Sequence, residues 1–133
     1  MNHTNRLKYL RIALVLFGAI MAFAFYPLTL LWPSGWVWHP GQSEYLVMIM
    51  GIYATLGVFL LFAAHDPLKH LSLIWFTVWS SLVHGGIMAF QSFSSPGHAG
   101  HLLGDVPALL IVGMVLGLLT PRSDKALVEH TET

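Results

Sequence analysis

The sequence contains no cysteine among its 133 residues, and only 9% of its residues are charged. The absence of cysteine excludes disulfides, thiolate metal ligands and a cysteine nucleophile. Soluble domains usually carry about 25% charged residues, so neither a water-soluble globule nor a disordered chain fits this composition. Six basic residues balance six acidic ones, and this balance provides no basic surface for nucleic acid.

The chain consists largely of long apolar segments. Hydrophobic residues make up 56% of the sequence, and the mean hydropathy is +0.68. Four apolar segments cover about 9–31, 45–64, 71–93 and 102–119, and each approaches the roughly 20 residues that a membrane-spanning helix needs. Short loops with turn-forming residues separate them, which places neighbouring helices antiparallel. We therefore predict an all-α integral membrane protein, an antiparallel four-helix bundle forming a single domain over residues 1–133.

The basic residues predict the orientation of this bundle. In a four-span arrangement all six fall on one side of the membrane: Arg6, Lys8, Arg11, Lys69, Arg122 and Lys125. Because cytoplasmic loops carry the excess of lysine and arginine, we predict that both termini are cytoplasmic. Three tryptophans, Trp32, Trp36 and Trp38, then lie in the aromatic belt of the opposite interface.

The third segment holds most of the polar residues within the spans. Steps of three and four residues place one set on a single helical face: Thr77, Ser81, His84, Met88 and Gln91. Polar groups are costly in lipid, so we expect this face to point into the bundle. His84 is the deepest ionisable residue of the set. Two interpretations of it stay open: a hydrogen bond to a neighbouring helix, or a role with a ligand, a metal or a proton.

The loop before the fourth segment suggests a metal centre. His98, His101 and Asp105 are spaced three and four residues apart, a spacing that on a helix would suit Zn or Cu. Glu44 on the other loop of the same side, and His84 below, complete the candidate set. The alternatives are that these are interfacial polar residues, and that Asp105 serves the free amides at the start of the fourth helix.

No established catalytic motif is present. The sequence has no GxSxG, P-loop or HExxH pattern and no pair of carboxylates within the spans. Only His84 could ligate a haem inside the membrane, whereas a b-type haem held by two histidines needs two such residues. The pattern therefore favours a non-enzymatic protein.

Several segments of the sequence resemble a known group of proteins. The segments are WPSGWVW at 32–38, GIYATLGVF at 51–59, WSSLVH at 79–84 and GHLLGDVP at 100–107. Together they resemble an uncharacterised family of small bacterial proteins with four predicted spans. The resemblance implies a four-helix fold in the bacterial inner membrane, and it implies no activity, because none is known for the family.

Three functional hypotheses follow. The first is an accessory or stabilising subunit of a larger membrane complex, associating with other membrane chains or with itself. Gly113 and Gly117 support it, because a pair of small residues four apart allows close helix contact, within the bundle or with a partner. The second is a site for Cu, Zn or a small polar ligand, built from His84, His98, His101, Asp105 and Glu44. The third is a small redox or quinone-site protein that uses His84 and nearby aromatic residues.

Overall fold

The computed structural model describes residues 2–39 and 43–122, which are helical and contain no strand. The first span combines α1 (His3–Ala19), a π-helical segment (Ile20–Ala24) and α2 (Phe25–Leu31). A short helix, α3 (Pro33–Trp36), precedes α4 (Glu44–Ala63). The last two spans each begin with a 3-10 segment: Pro67–His70 leads into α5 (Leu71–Ser94), and Pro96–Leu102 precedes α6 (Asp105–Leu119).

Four of these helical stretches are long and apolar enough to cross a membrane: His3–Leu31, Glu44–Ala63, Pro67–Ser94 and Pro96–Leu119. The predicted all-α fold with four membrane-spanning helices is therefore confirmed. The boundaries differ at the starts of three spans, and the third span begins at the 3-10 segment Pro67–His70. The first helix already begins at His3, and the fourth span gains the 3-10 segment at its start, which compensates for the short length of α6 alone.

The four spans pack as two pairs. α4 lies mainly on α1 and α5 lies mainly on α6, while α1 joins the pairs through α6, and α4 and α5 touch little. Glycine allows the closest approaches. A Cβ at Gly57 would lie 2.6 Å from the backbone oxygen of Gly18 and 2.6 Å from the amide of Ala22, so α1 and α4 meet backbone to backbone. A Cβ at Gly113 would similarly meet Leu82 of α5 at 2.6 Å.

One end of the bundle carries the start of α1 and the end of α6, and we call it the terminal end. There the Arg6 guanidinium donates hydrogen bonds to the carbonyls of Leu118, Leu119 and Thr120, at 2.9–3.0 Å. These carbonyls at the end of α6 have no partner within the helix, and a cation at a helix C-terminus is favourable.

The turn between α4 and α5 lies at the same end. Its Asp66 pairs with Lys69 at 3.0 Å and also interacts with the charge of Arg11 on α1. The hydrogen bond from Lys69 is the main cause that lowers the pKa of Asp66 below its ordinary value. Lys125 of the predicted basic set lies outside the described residues, and the cytoplasmic location of this end remains a prediction.

The opposite end, which we call the far end, is closed by α3 and the 3-10 segment Pro96–Leu102. The backbones of these two elements touch directly. A Cβ at Gly104 would collide with the carbonyl of Gly35, and a Cβ at Gly100 would collide with the carbonyl of Ser34. The segments WPSGWVW and GHLLGDVP, which are far apart in the sequence, therefore form one lid over the far half of the bundle.

The interior changes character between the two ends. Near the terminal end it is a closely packed apolar core that includes Leu10, Leu14, Leu60, Ile74 and Leu116, all with 0% exposure. Beneath the lid, the interior instead holds polar side chains around a cavity. Buried polar groups are expensive in a membrane, so the far half is the place to look for a function.

Candidate functional site

The cavity beneath the lid has a volume of about 270 Å³. Most of its lining is apolar, and its polar or polar-tipped side chains are Trp36, Trp38, Tyr53, His84, Gln91 and Asp105. An apolar cavity with a few converging polar groups is the usual form of a small-molecule site. All four segments that carry the family resemblance contribute residues to this wall or lid.

The cavity lies where the two helix pairs are apart. α4 contributes Leu46, Ile49 and Tyr53 to its wall, and α5 contributes His84, Met88 and Gln91. Ile49 is 39% exposed and Gln91 is also exposed, although both line the cavity. Since α4 and α5 touch little, we infer that the cavity opens between these two helices.

The first span contributes its π-helical segment and α2 to the cavity wall. Ile20 and Met21 of that segment and Phe25 of α2 line the cavity. A π-helical turn widens the helix, and such turns are frequent at functional sites. This one precedes Pro27, whose missing amide hydrogen also interrupts the ordinary helical hydrogen bonds.

Aromatic rings form a connected wall on this side. The ring of Phe25 stands edge-on to Trp36 at 5.3 Å between centroids and stacks on Tyr53 at 5.2 Å. Tyr53 in turn stacks near His84, and its hydroxyl shares a hydrogen bond of 2.5 Å with Nδ1 of His84. With the hydroxyl as donor, the imidazole proton lies on Nε2. This contact with α4 is a hydrogen bond to a neighbouring helix, which was one of the two interpretations of His84. The same side chain also lines the cavity.

A buried His–Asp pair forms the opposite side of the site. Nδ1 of His101 donates to Oδ2 of Asp105 at 2.9 Å, and the two residues are only 1% and 5% exposed. The indole of Trp38 stacks on the His101 ring with centroids 4.2 Å apart. Asp105 is the first residue of α6, where Gly104 is the N-cap, and the Val106 amide of that helix acts on its carboxyl group. His101 holds the carboxylate from the preceding turn of chain. The predicted capping role of Asp105 stays a prediction.

Two buried polar atoms at the cavity lack partners among the described residues. One is Oδ1 of Asp105, a hydrogen-bond acceptor, and the other is Nε1 of Trp36, a donor. The Trp38 indole and the Val106 amide flank the Asp105 carboxylate, but neither makes a hydrogen bond of ordinary geometry to Oδ1. Buried polar atoms normally have a partner, so these two are the polar atoms of the cavity residues that the described residues leave unsatisfied.

The predicted polar face of α5 points inward along most of its length. Thr77, Ser81 and Met88 are buried, at 0%, 4% and 8% exposure. His84 is half-buried in the cavity wall, and only Gln91, at the rim, is exposed. The face therefore leads from the apolar core up to the cavity.

The other predicted site residues are only partly brought together. His98 stacks on Trp38 at 4.7 Å, with its ring centroid 5.9 Å from that of His101. Glu44 is an exposed residue at the start of α4, where Ser43 provides the N-cap. Within residues 2–39 and 43–122, no three His, Asp or Glu side chains form a group that could hold a metal ion. The Cu or Zn centre therefore stays a prediction.

Sequence reasoning missed Tyr53, Phe25 and the π-helical segment. Tyr53 lies in the middle of a segment dominated by apolar residues, and no local pattern distinguishes it from a lipid-facing or packing tyrosine. Pro27 inside the first span was the one available signal that its helix is irregular.

The comparisons with known proteins bear on the family. A family model described as a family of unknown function, DUF6632, matches residues 4–128. The chain belongs to DUF6632. This match confirms the resemblance to an uncharacterised family, whereas the bacterial inner membrane remains a prediction. No curated protein and no solved structure gives a significant match to this DUF6632 chain, so its site has to be interpreted from its own geometry.

Proposed function

We propose that this protein binds a small, largely apolar molecule with one hydrogen-bonding group, which enters the cavity from the bilayer. The observation that supports the proposal most is the cavity of about 270 Å³ lined by apolar side chains and by polar atoms without partners. A cavity of about 270 Å³ is close to the lower end of the roughly 300–1,000 Å³ that small-molecule sites occupy, so it suits a small molecule.

The position of the opening supports entry from lipid. The rim residues Ile49 and Gln91 are exposed on α4 and α5, which lie within the spans. On the far side, the lid of α3 and the 3-10 segment closes the cavity, because Gly35 and Gly104 bring their backbones into contact. A molecule dissolved in the bilayer therefore reaches the cavity more directly than one dissolved in water.

Binding of 2,3,5-trimethylphenol tests the proposal. Calorimetric titration of the detergent-solubilised protein is expected to show saturable binding of one molecule per chain. Ala108 lines the cavity, so Ala108→Phe fills it and is expected to abolish saturable binding. Ala99→Phe, at an exposed position of the lid, is the matched control and is expected to bind as the original chain does.

The same heat in all three proteins, without saturation, is the result that contradicts the proposal, because it describes partition into the micelle. Circular dichroism establishes whether Ala108→Phe is folded. If it is not, Ile49→Trp at the rim replaces it, with the expectation of slower or weaker binding.

The role of accessory or stabilising subunit has less geometric support. The small-residue pair that suggested a partner surface lies inside the bundle, since Gly113 packs on Leu82 and Gly117 packs on Val78 of α5. That role remains a prediction. Its test is purification under gentle conditions and identification of the membrane chains that accompany the protein.

A further inference from the structure

The two unpartnered atoms restrict the chemistry of the molecule that the cavity binds. Asp105 Oδ1 accepts a hydrogen bond, whereas Trp36 Nε1 donates one. Both residues line the same cavity of about 270 Å³. A group that satisfies both atoms has to donate and accept at once. A hydroxyl does so, while a quinone carbonyl, an ether and an ammonium group each satisfy only one of the two atoms.

The remaining wall indicates what carries the hydroxyl. Phe25, Trp36 and Tyr53 present connected aromatic rings, and apolar side chains such as Met88 and Leu109 complete the lining. Aromatic side chains favour offset or edge-on contact with another ring. The sulfur of Met88 also makes favourable contacts with aromatic rings. A flat ring therefore fits this wall better than a flexible chain of the same volume.

Charge excludes one large class of competitors. Asp105 is the acidic residue of the cavity lining, and it lines the same cavity as Tyr53 and His84. No lysine or arginine lines the cavity among the described residues. An anionic ligand such as a carboxylate or phosphate would therefore be repelled and would lack a counter-ion.

We propose that the cavity binds an aromatic hydroxyl compound from the bilayer, a phenol or quinol ring, with its hydroxyl hydrogen-bonded to Asp105 Oδ1 and Trp36 Nε1. This inference rests on the proposed function and adds to it the chemical class of the ligand. The ligand hydroxyl donates a hydrogen bond to Oδ1 of Asp105, and Nε1 of Trp36 donates a hydrogen bond to the hydroxyl oxygen. His101 positions the carboxylate by occupying Oδ2, so that Oδ1 alone is available to the ligand.

A matched pair of probes tests the inference. 2,3,5-Trimethylphenol both donates and accepts, whereas 2,3,5-trimethylanisole has the same ring and oxygen but cannot donate. Hydrogen bonds to charged groups contribute about 1.5–3 kcal/mol, so the phenol is expected to bind about 10- to 100-fold more tightly. Equal affinities for the two probes would overturn the hydroxyl assignment while leaving the proposed cavity function intact. Absence of saturable binding for both would overturn the two together.

Two variants locate the hydroxyl. Asp105→Asn can still accept from His101 with its oxygen, which turns its NH₂ group towards the ligand, so the preference for phenol over anisole is expected to disappear. Trp36→Phe keeps the ring and removes only the donor, and it is expected to weaken phenol binding about fivefold. Because Trp36→Phe leaves the His101–Asp105 pair intact, it keeps the test valid if Asp105→Asn does not fold. An unchanged phenol preference in Asp105→Asn, or an unchanged phenol affinity in Trp36→Phe, would contradict the assignment.

A third arm distinguishes the source of the ligand. A quinol that carries an isoprenoid tail is confined to the bilayer, whereas trimethylphenol also dissolves in water. If the ligand enters between α4 and α5, the tailed quinol in vesicles is expected to compete with trimethylphenol, since its tail can remain in lipid. Competition by small phenols alone would assign the site to a water-borne phenol, and the bilayer source in the proposal would then be wrong.

Discussion

Replacing His101 with phenylalanine is expected to destabilise the protein by about 3 kcal/mol. His101 and Asp105 are 1% and 5% exposed and share a hydrogen bond of 2.9 Å. Removing one partner of such a pair leaves the other charge buried without compensation, at a cost of about 3–5 kcal/mol. We expect the lower part of this range because a buried carboxylate that loses its partner can be neutralised by a proton.

Phenylalanine isolates the hydrogen bond from the stacking. The His101 ring lies 4.2 Å from the Trp38 indole between centroids, and an aromatic ring at position 101 retains that contact, a contribution of about 1 kcal/mol. His98 provides the matched control, because it also stacks on Trp38 but is less buried. His98→Phe is expected to change the free energy of unfolding by less than about 0.5 kcal/mol, as substitutions away from buried polar networks usually do.

The assay is unfolding by SDS in mixed micelles, followed by far-ultraviolet circular dichroism. A second substitution tests the origin of the loss. In the double variant His101→Phe with Asp105→Leu, both polar partners are gone, and it is expected to be more stable than His101→Phe alone. The reasoning is refuted if His101→Phe costs no more than His98→Phe, or if removing Asp105 as well makes the protein still less stable.

Three further predictions concern the rest of the bundle. Gly57→Ala places a Cβ 2.6 Å from two backbone atoms of the first span and is expected to cost about 1–3 kcal/mol in the same SDS assay. Gly51→Ala on the same helix meets nothing within 4 Å and should leave stability equal or higher. Arg6→Lys cannot reproduce three hydrogen bonds to the end of α6 and is expected to cost about 1 kcal/mol, whereas an unchanged unfolding midpoint would show that those bonds contribute nothing. Lys69→Met should return the pKa of Asp66 towards its ordinary value, which carboxyl ¹³C NMR can follow. Because the pKa of Asp66 is lowered in the folded protein, the ion pair stabilises the fold at pH values above the ordinary carboxyl pKa. That stabilisation is lost as the pH falls through the lowered pKa.

The membrane fold could be predicted from the sequence because it depends on length and hydropathy. Four segments of the required length, with six basic residues on one side, leave few alternatives. The step of three and four residues likewise placed Thr77, Ser81 and Met88 on the buried face of α5. Both inferences use only the residues within a single segment, because the geometry of a helix fixes its length and the face on which each residue lies.

The site was only half predictable because it depends on contacts between segments. The spacing of His101 and Asp105 brought those two together correctly as neighbours on one turn. No spacing relates Tyr53 to His84, which are 31 residues apart, or Trp36 to Asp105. These pairs meet because Gly57 lets α4 close on α1 and because Gly35 and Gly104 let the lid backbones touch. Such close approaches become visible only when the helices are placed together.

Photoaffinity mapping in vesicles tests the central claim, that the cavity takes up an aromatic hydroxyl compound from lipid. The probe is a phenol with a diazirine on the ring, activated with and without excess 2,3,5-trimethylphenol. We expect competed labels on cavity-lining residues of both helices at the opening, Ile49, Tyr53 and Met88. Labels that trimethylphenol does not reduce, on lipid-facing positions such as Phe90 and Phe93 with none in the cavity, would contradict the claim.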